Sequence, residues 1–225
     1  MPNLPEGVFL VDKPIGMTSF DVVRRLRKTR NVRKIGHAGT LDPLASGLMI
    51  LAVGPATKLL HDYLKLPKSY EAEICLGERT ATGDREGEVL EKSDASHLEE
   101  AAIAEVLTGM AGTLQLPVPA YSAIKRNGEA LYKKARRGEQ VDTPIKSMEI
   151  ARALLTGVRR NKNTLFVSVL FKVGSGTYIR SLAEELGNRL GIPARLENLR
   201  RTQIGAWSIN QATSLEHLPT HHTQP

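Results

Sequence analysis

The chain has 225 residues, 41% of them hydrophobic, enough to bury one generous core, so a single domain is the expectation. No apolar run approaches the roughly 18–20 residues of a membrane-crossing helix, and residues 1–6 lack the charged-then-apolar layout of a secretory signal; a soluble, cytoplasmic protein is expected. The lone Cys75 excludes an internal disulfide and any multi-cysteine zinc site, and its apolar surroundings read as core.

In chain order, "GVFLVDKP" (7–14) reads as a strand stopped by proline. "TSFDVVRRLRKTRN" (18–31) reads as a helix with Thr18 or Ser19 as N-cap, its apolar Phe20, Val22, Val23 and Leu26 turned inward and its arginines outward. "GLMILAVG" (47–54) is a nearly continuous apolar strand, "PATKLLHDYLK" (55–65) a helix opened by Pro55, and "SYEAEICLG" (69–77) an alternating strand. "TATGDREGEV" (80–89) reads as a turn-rich link and "DASHLEEAAIAEVLTGM" (94–110) as a helix. Residues 116–144 are rich in proline, glycine and charge around one short basic helix, an excursion from the core. A strand "TLFVSVLFKV" (164–173), a helix "GTYIRSLAEELGNRLG" (176–191) and a strand-like "ARLENLRRTQIGAWSI" (194–209) follow, with a frayed tail after them. Strands outnumber helices without the spacing of βαβ units, so the predicted class is α+β with a mixed, mostly antiparallel sheet.

The net charge of +7 is clustered. One cluster holds Arg24, Arg25, Arg27, Lys28, Arg30, Arg33 and Lys34; the other holds Lys125, Arg126, Lys133, Lys134, Arg136 and Arg137. Such clusters suit a polyanion whose phosphates release counterions, and equally a solvated helix face. An aromatic content of 4% argues against a platform that stacks several bases.

Several motifs fail. "VGPATK" lacks the order of a phosphate-cradling loop, and "LASGL" and "VGSGT" miss the spacing of a nucleophile elbow. His37 with Asp42, or His221 with His222, lacks a third ligand at suitable spacing, so no metal or nucleotide cofactor is expected. Asp42, in "GHAGTLDPLASGLMILAVG" (36–54), reads most simply as a turn former before Pro43. Its neighbourhood suggests more: Gly36, Ala38, Gly39 and Ala45 leave room for a ligand, and Leu41 and Leu44 could shield the acid. A shielded carboxylate needs a cation, and Arg180, at a helix start near Gly174 and Gly176, is a candidate.

The blocks "DKPIGMTSFDVV", "KIGHAGTLDPLASGLMILAVGPATKL", "KSYEAEICLGERTATGDREGEV", "PVPAYSAIKRNGEALYKKARRGE", "VGSGTYIRSLAEELG" and "LRRTQIGAWSI" occur in the order of the TruB-family pseudouridine synthases, which the chain resembles over nearly its whole length. The resemblance implies the pseudouridine synthase fold, no cofactor, and isomerisation of a T-loop uridine of tRNA after base flipping. It implies Asp42 as the catalytic carboxylate, Arg180 as its partner, and Tyr70 as the active-site tyrosine that stacks on uracil. Tyr178 would pack near the base or the arginine. His37 matches the histidine that fills the gap left by the flipped base, and Lys125, Arg126, Lys133, Arg136 and Arg137 fall in a mobile RNA-gripping thumb at about 115–145. Three departures stand out: Val173 and Gly174 replace a frequent cysteine-serine pair, Ser46 replaces a threonine, and too few residues follow "LRRTQIGAWSI" for the RNA-binding PUA domain of many members. The expectation is a stand-alone tRNA enzyme without an obligatory protein partner. A guide-RNA-dependent synthase, a non-catalytic RNA-folding factor and a DNA-binding module remain as alternatives.

Overall fold

The computed structural model describes residues 4–126 and 128–217; His221, His222 and all but the first residue of the tail expected to fray (217–225) lie outside them. In chain order the elements are β1 (Val8–Lys13), α1 (Ser19–Arg30), β2 (Ile35–His37), β3 (Ala45–Val53), α2 (Leu60–Lys65), β4 (Lys68–Leu76), β5 (Glu78–Thr80), β6 (Val89–Lys92), α3 (Glu100–Thr108), β7 (Gly112–Pro117), β8 (Lys125–Arg126), β9 (Glu129–Ala130), α4 (Leu131–Arg136), β10 (Ile145–Asn161), β11 (Thr164–Val173), α5 (Ile179–Leu190), β12 (Ala194–Ile204), β13 (Trp207–Ser208) and β14 (Thr213–Ser214). They form two compact units, Met1–Glu71 with Leu199–Pro225, and Ala72–Asn198, and the chain passes between them inside β4 and inside β12. Among the described residues no helix is long and apolar enough to cross a membrane.

In the first unit β3 is buried along almost its whole length, as its unbroken apolar run demands. It pairs antiparallel with β1 and β2 and parallel with β12, while β14 adds in parallel beside β1. Val8, Leu10, Leu48, Ile50, Ala52, Ile204 and Trp207 pack as one cluster, each large aliphatic side chain contributing about 1.5–3 kcal/mol. α1 begins on Thr18, whose hydroxyl accepts from the Asp21 amide while Asp21 returns a bond to Thr18, a reciprocal capping box. It buries Val22, Val23 and Leu26, but not Phe20, which is 55% exposed. The expectation for Phe20 is therefore corrected: three residues ahead of Val23 and six ahead of Leu26, it lies beyond the edge of the stripe they define. Pro55 does start helical structure, as a 3-10 turn (Gly54–Leu59) that precedes α2.

In the second unit β10 pairs antiparallel with β7 on one side and β11 on the other. β11 alternates strictly, with Leu165, Val167, Val169, Phe171 and Val173 buried. Gly174 donates its amide to the Glu149 carbonyl, which carries the pairing with β10 one residue past Val173, where the sequence departs from the family pattern. β10 is the longest strand, at 17 residues, and the sequence reading did not identify it. Register shifts at Ile150/Arg152 and Leu155/Gly157 break its period of two, and Ile145 and Leu154 point outward. α5 buries Ile179, Leu182, Ala183 and Leu186 and ends on the left-handed Gly191. Cys75 is fully buried, and burial pushes its thiol up to about 11, an inert core residue as expected.

Parallel pairing sets Gly47 opposite Arg201 at a φ of +108°, where an added Cβ would lie 2.3 Å from the Arg201 carbonyl oxygen. Gly47→Ala is expected to cost about 2–5 kcal/mol through backbone strain and overpacking, measured as a lower urea midpoint by circular dichroism.

Candidate active site

The segment joining β2 to β3 is held at nearly every residue. Ala38 donates its amide to Ile50, and Gly39, at a φ of +98°, turns the chain. Leu41 is buried, and its amide and carbonyl both bond the Ser19 hydroxyl, at 2.8 and 3.0 Å. The Asp42 carbonyl accepts from Ala45, and the Pro43 carbonyl accepts from the Gly16 amide. Asp42 is half-buried between the buried Leu41 and Leu44, the environment anticipated for it. At two of the four small residues the protein's own side chains lie close by. A Cβ on Gly36 would come 2.6 Å from Leu60, and one on Gly39 would come 3.4 Å from an Arg201 nitrogen, so both glycines admit the protein's own side chains.

Arg201 escaped the sequence reading. It is 1% exposed, and its guanidinium donates to Leu48 at 2.7 Å and to Gly39 at 3.1 Å, joining β3 to the Asp42 loop. Its charge reaches two neighbours. Burial, then the Arg201 charge, hold the His37 imidazole below its ordinary value, so it is neutral at pH 7. Burial, then Arg201, push Lys68 down to about 8, and its ammonium donates to the Leu64 and Leu66 carbonyls at 2.6 Å each. Tyr70, two residues along β4, is 8% exposed. Ser46 takes a hydrogen bond from Arg200, which also grips Asp12, so a hydroxyl is kept where threonine is usual.

In the second unit Arg180 sits in the first turn of α5 and is 5% exposed, donating to the carbonyls of Thr82 and Tyr121 at 3.0 Å each. It also lies 3.5 Å from the carboxylate of Asp84, which is equally buried. Asp84 belongs to the stretch read as a simple link. Its carboxylate accepts from the Thr82 hydroxyl and the Glu86 amide, an Asx-type turn that "TGD" could have signalled. Tyr178 precedes α5, and the Lys146 ammonium stands 5.8 Å from its ring centroid. Gly176 leaves room for that same lysine, since a Cβ there would lie 2.3 Å from its nitrogen.

The basic excursion folds as the hairpin of β8 and β9 leading into α4. Arg126 pairs with Asp142, and Arg137 pairs with Glu129 and Glu139. Lys133 and Arg136 are exposed and make no ion pair among the described residues, the latter stacking on Tyr132. Among the described residues no three His, Cys, Asp or Glu side chains converge as a metal site.

Two measurements follow from this geometry. Because the folded His37 value lies below the unfolded 6.5, the unfolded chain gains a proton the folded one refuses as pH falls past 6.5, and stability drops there. The His37 ring resonances are accordingly expected to titrate with a midpoint below 6.5 by NMR. Asp84→Ala removes the buried carboxylate beside Arg180 together with the acceptor of the Thr82 hydroxyl and the Glu86 amide, and is expected to cost about 1–3 kcal/mol in chemical denaturation.

Residues 27–179 match the family described as TruB family pseudouridylate synthase, N-terminal domain. The chain is 42% identical to tRNA pseudouridine synthase B of Thermobifida fusca, over 98% of this chain and 76% of that protein. It is 44% identical to the protein of the same name from Paenarthrobacter aurescens, over 94% and 69%. Among solved structures it is similar to a chain of a Cbf5-Nop10-Gar1 complex, with a TM-score of 0.71 at 27% identity, over 94% of this chain and 53% of that one. A chain of an H/ACA RNP bound to a substrate RNA containing 2'-deoxyuridine gives 0.69 at 26%, over 94% and 52%, so the chain spans about half the length of these solved relatives. With the family match covering most of the sequence and the blocks around Asp42 and Arg180 inside or at its border, the chain belongs to the TruB family of pseudouridylate synthases.

Proposed function

We propose that the chain is a tRNA pseudouridine synthase that isomerises a T-loop uridine without a cofactor, with Asp42 as the catalytic carboxylate. The observation that carries this is the half-buried acid on a loop pinned by Ser19, Ala45 and Gly16, in a chain about 42% identical to enzymes of that name. The reaction breaks the bond from ribose C1′ to uracil N1, turns the base, and joins C1′ to C5, which then gives up its proton while N1 takes one up. It needs an ionised carboxylate at the sugar, either to attack C1′ or to take the C2′ proton. A rigid backbone supports such a role, because the group is already placed when substrate arrives. Arg180 as the arginine of the active site, Tyr70 as the residue against uracil, and Tyr178 beside the base are assignments supported by the family motifs. His37, kept neutral, suits stacking in a vacated base position better than a solvated imidazolium would. Lys125, Arg126, Lys133, Arg136 and Arg137 belong to a thumb that contacts phosphates, in a single catalytic domain acting in the cytoplasm without an obligatory protein partner. The solved relatives in multi-protein assemblies motivate a second reading, dependence on a guide RNA, which the stronger likeness to tRNA enzymes disfavours.

The test is pseudouridine formation in a T-loop minihelix transcript with purified protein and EDTA. Wild type is expected to form product, and Asp42→Asn to lose at least about 10³-fold in rate, some 4 kcal/mol of barrier, while still binding RNA. Full activity of Asp42→Asn would defeat the assignment, and activity only with an added guide RNA would favour the second reading.

A further inference from the structure

The outward face of α1 carries a feature that the catalytic chemistry does not use. Phe20 and Ile15 are 55% and 53% exposed, and the guanidiniums of Arg24 and Arg27 lie 5.4 and 6.0 Å from the Phe20 ring centroid. Arg25 and Lys28 are exposed on the adjoining stripe. The helix has one acid, Asp21, whose carboxylate is already engaged by Thr18 and Arg24. The Arg27 Nε is buried with no partner among the described residues. An exposed ring held under two guanidiniums and edged by further cations offers an apolar face and phosphate donors together.

The place where this stripe begins is the second observation. Ser19, next to Phe20, makes both of its bonds to Leu41, and Gly16, next to Ile15, bonds Pro43. Ile15 and Phe20 are thus the chain neighbours of the two residues that hold Leu41 and Pro43 on either side of Asp42, and the cations follow from there along the helix. We propose that Ile15, Phe20, Arg24, Arg27 and Lys28 form a track for the RNA strand flanking the target uridine. Phe20 and Ile15 take the flat face of a neighbouring nucleotide, and the cations take its phosphates. This rests on the proposed function and adds to it a contact surface separate in sequence from the thumb.

The test uses the full chain with Phe20→Ala, Phe20→Tyr and the double variant Arg24→Gln/Lys28→Gln, each first shown to keep the wild-type thermal midpoint. Affinity for a T-stem-loop RNA is measured across a KCl series, alongside single-turnover pseudouridine formation at saturating RNA. For the double variant we expect Kd to rise about five- to tenfold and the log Kd against log salt slope to fall by about 0.7 per lost phosphate contact, with the saturating rate within about twofold. Phe20→Ala is expected to weaken binding without changing the slope, and Phe20→Tyr to restore it. Unchanged Kd and slope would overturn the track and leave another partner, such as an acidic protein, for this face. A fall in saturating rate at unchanged Kd would also overturn it, making α1 a prop for the Asp42 loop. Wild-type protein that binds RNA but forms no product would sink the proposed function, while the slope still decides the track; wild type that binds no RNA would sink both.

Discussion

A guanidinium buried without a carboxylate is the constraint around which the first unit is organised. Among the described residues Arg201 has no salt bridge, and its charge rests on the carbonyl dipoles of Leu48 and Gly39. An isolated charge taken out of water is expensive, so these acceptors must be fixed and close. Fixing them dictates much else. The parallel approach of β12 to β3 leaves no volume at Gly47, and the turn at Gly39 must present its carbonyl inward. Burial, and after it the charge of this same cation, keeps the neighbouring His37 and Lys68 from holding protons as firmly as they would in solvent.

Rigidity around Asp42 comes from backbone bonds, each made by a different part of the unit: the Ser19 hydroxyl from α1, Gly16 from the turn before it, Arg201 from β12. A loop is ordinarily the mobile part of a fold, and this one has been made part of the scaffold. For an isomerase of the proposed kind that matters, since neither reactant diffuses in separately and catalysis depends on holding one sugar against one carboxylate while the base turns. In the second unit the same economy holds Arg180, whose donors are directed by two carbonyls and by Asp84.

What was legible in the sequence follows from range. Elements with unbroken local signals were read closely: the apolar run of β3, the alternation of β11, the capped start of α1, the terminal glycine of α5. β10 was missed because its two register shifts move its apolar residues off a single face, leaving Met148, Ile150 and Ala153 buried among exposed neighbours. Phe20 was misplaced because hydrophobic character was taken as burial, whereas its position on the helix decides. Asp42 could be singled out from its own surroundings and from the family motif. Arg201 and Asp84 could not, since their meaning lies in partners far along the chain, Leu48 and Gly39 for one and Arg180 for the other.

The ion pairs of the basic excursion change how the formal charge of +7 should be understood. Arg126 and Arg137 already have carboxylates, Asp142, Glu129 and Glu139, seated where an incoming anion would go. Any polyanion arriving there must evict an internal competitor, so one or two phosphates gain little by the exchange. A ligand that presents several at once displaces the carboxylates together and gains from all of them. Because these pairs are largely exposed, each is worth little, so the exchange tempers the attraction of the surface for anions without abolishing it.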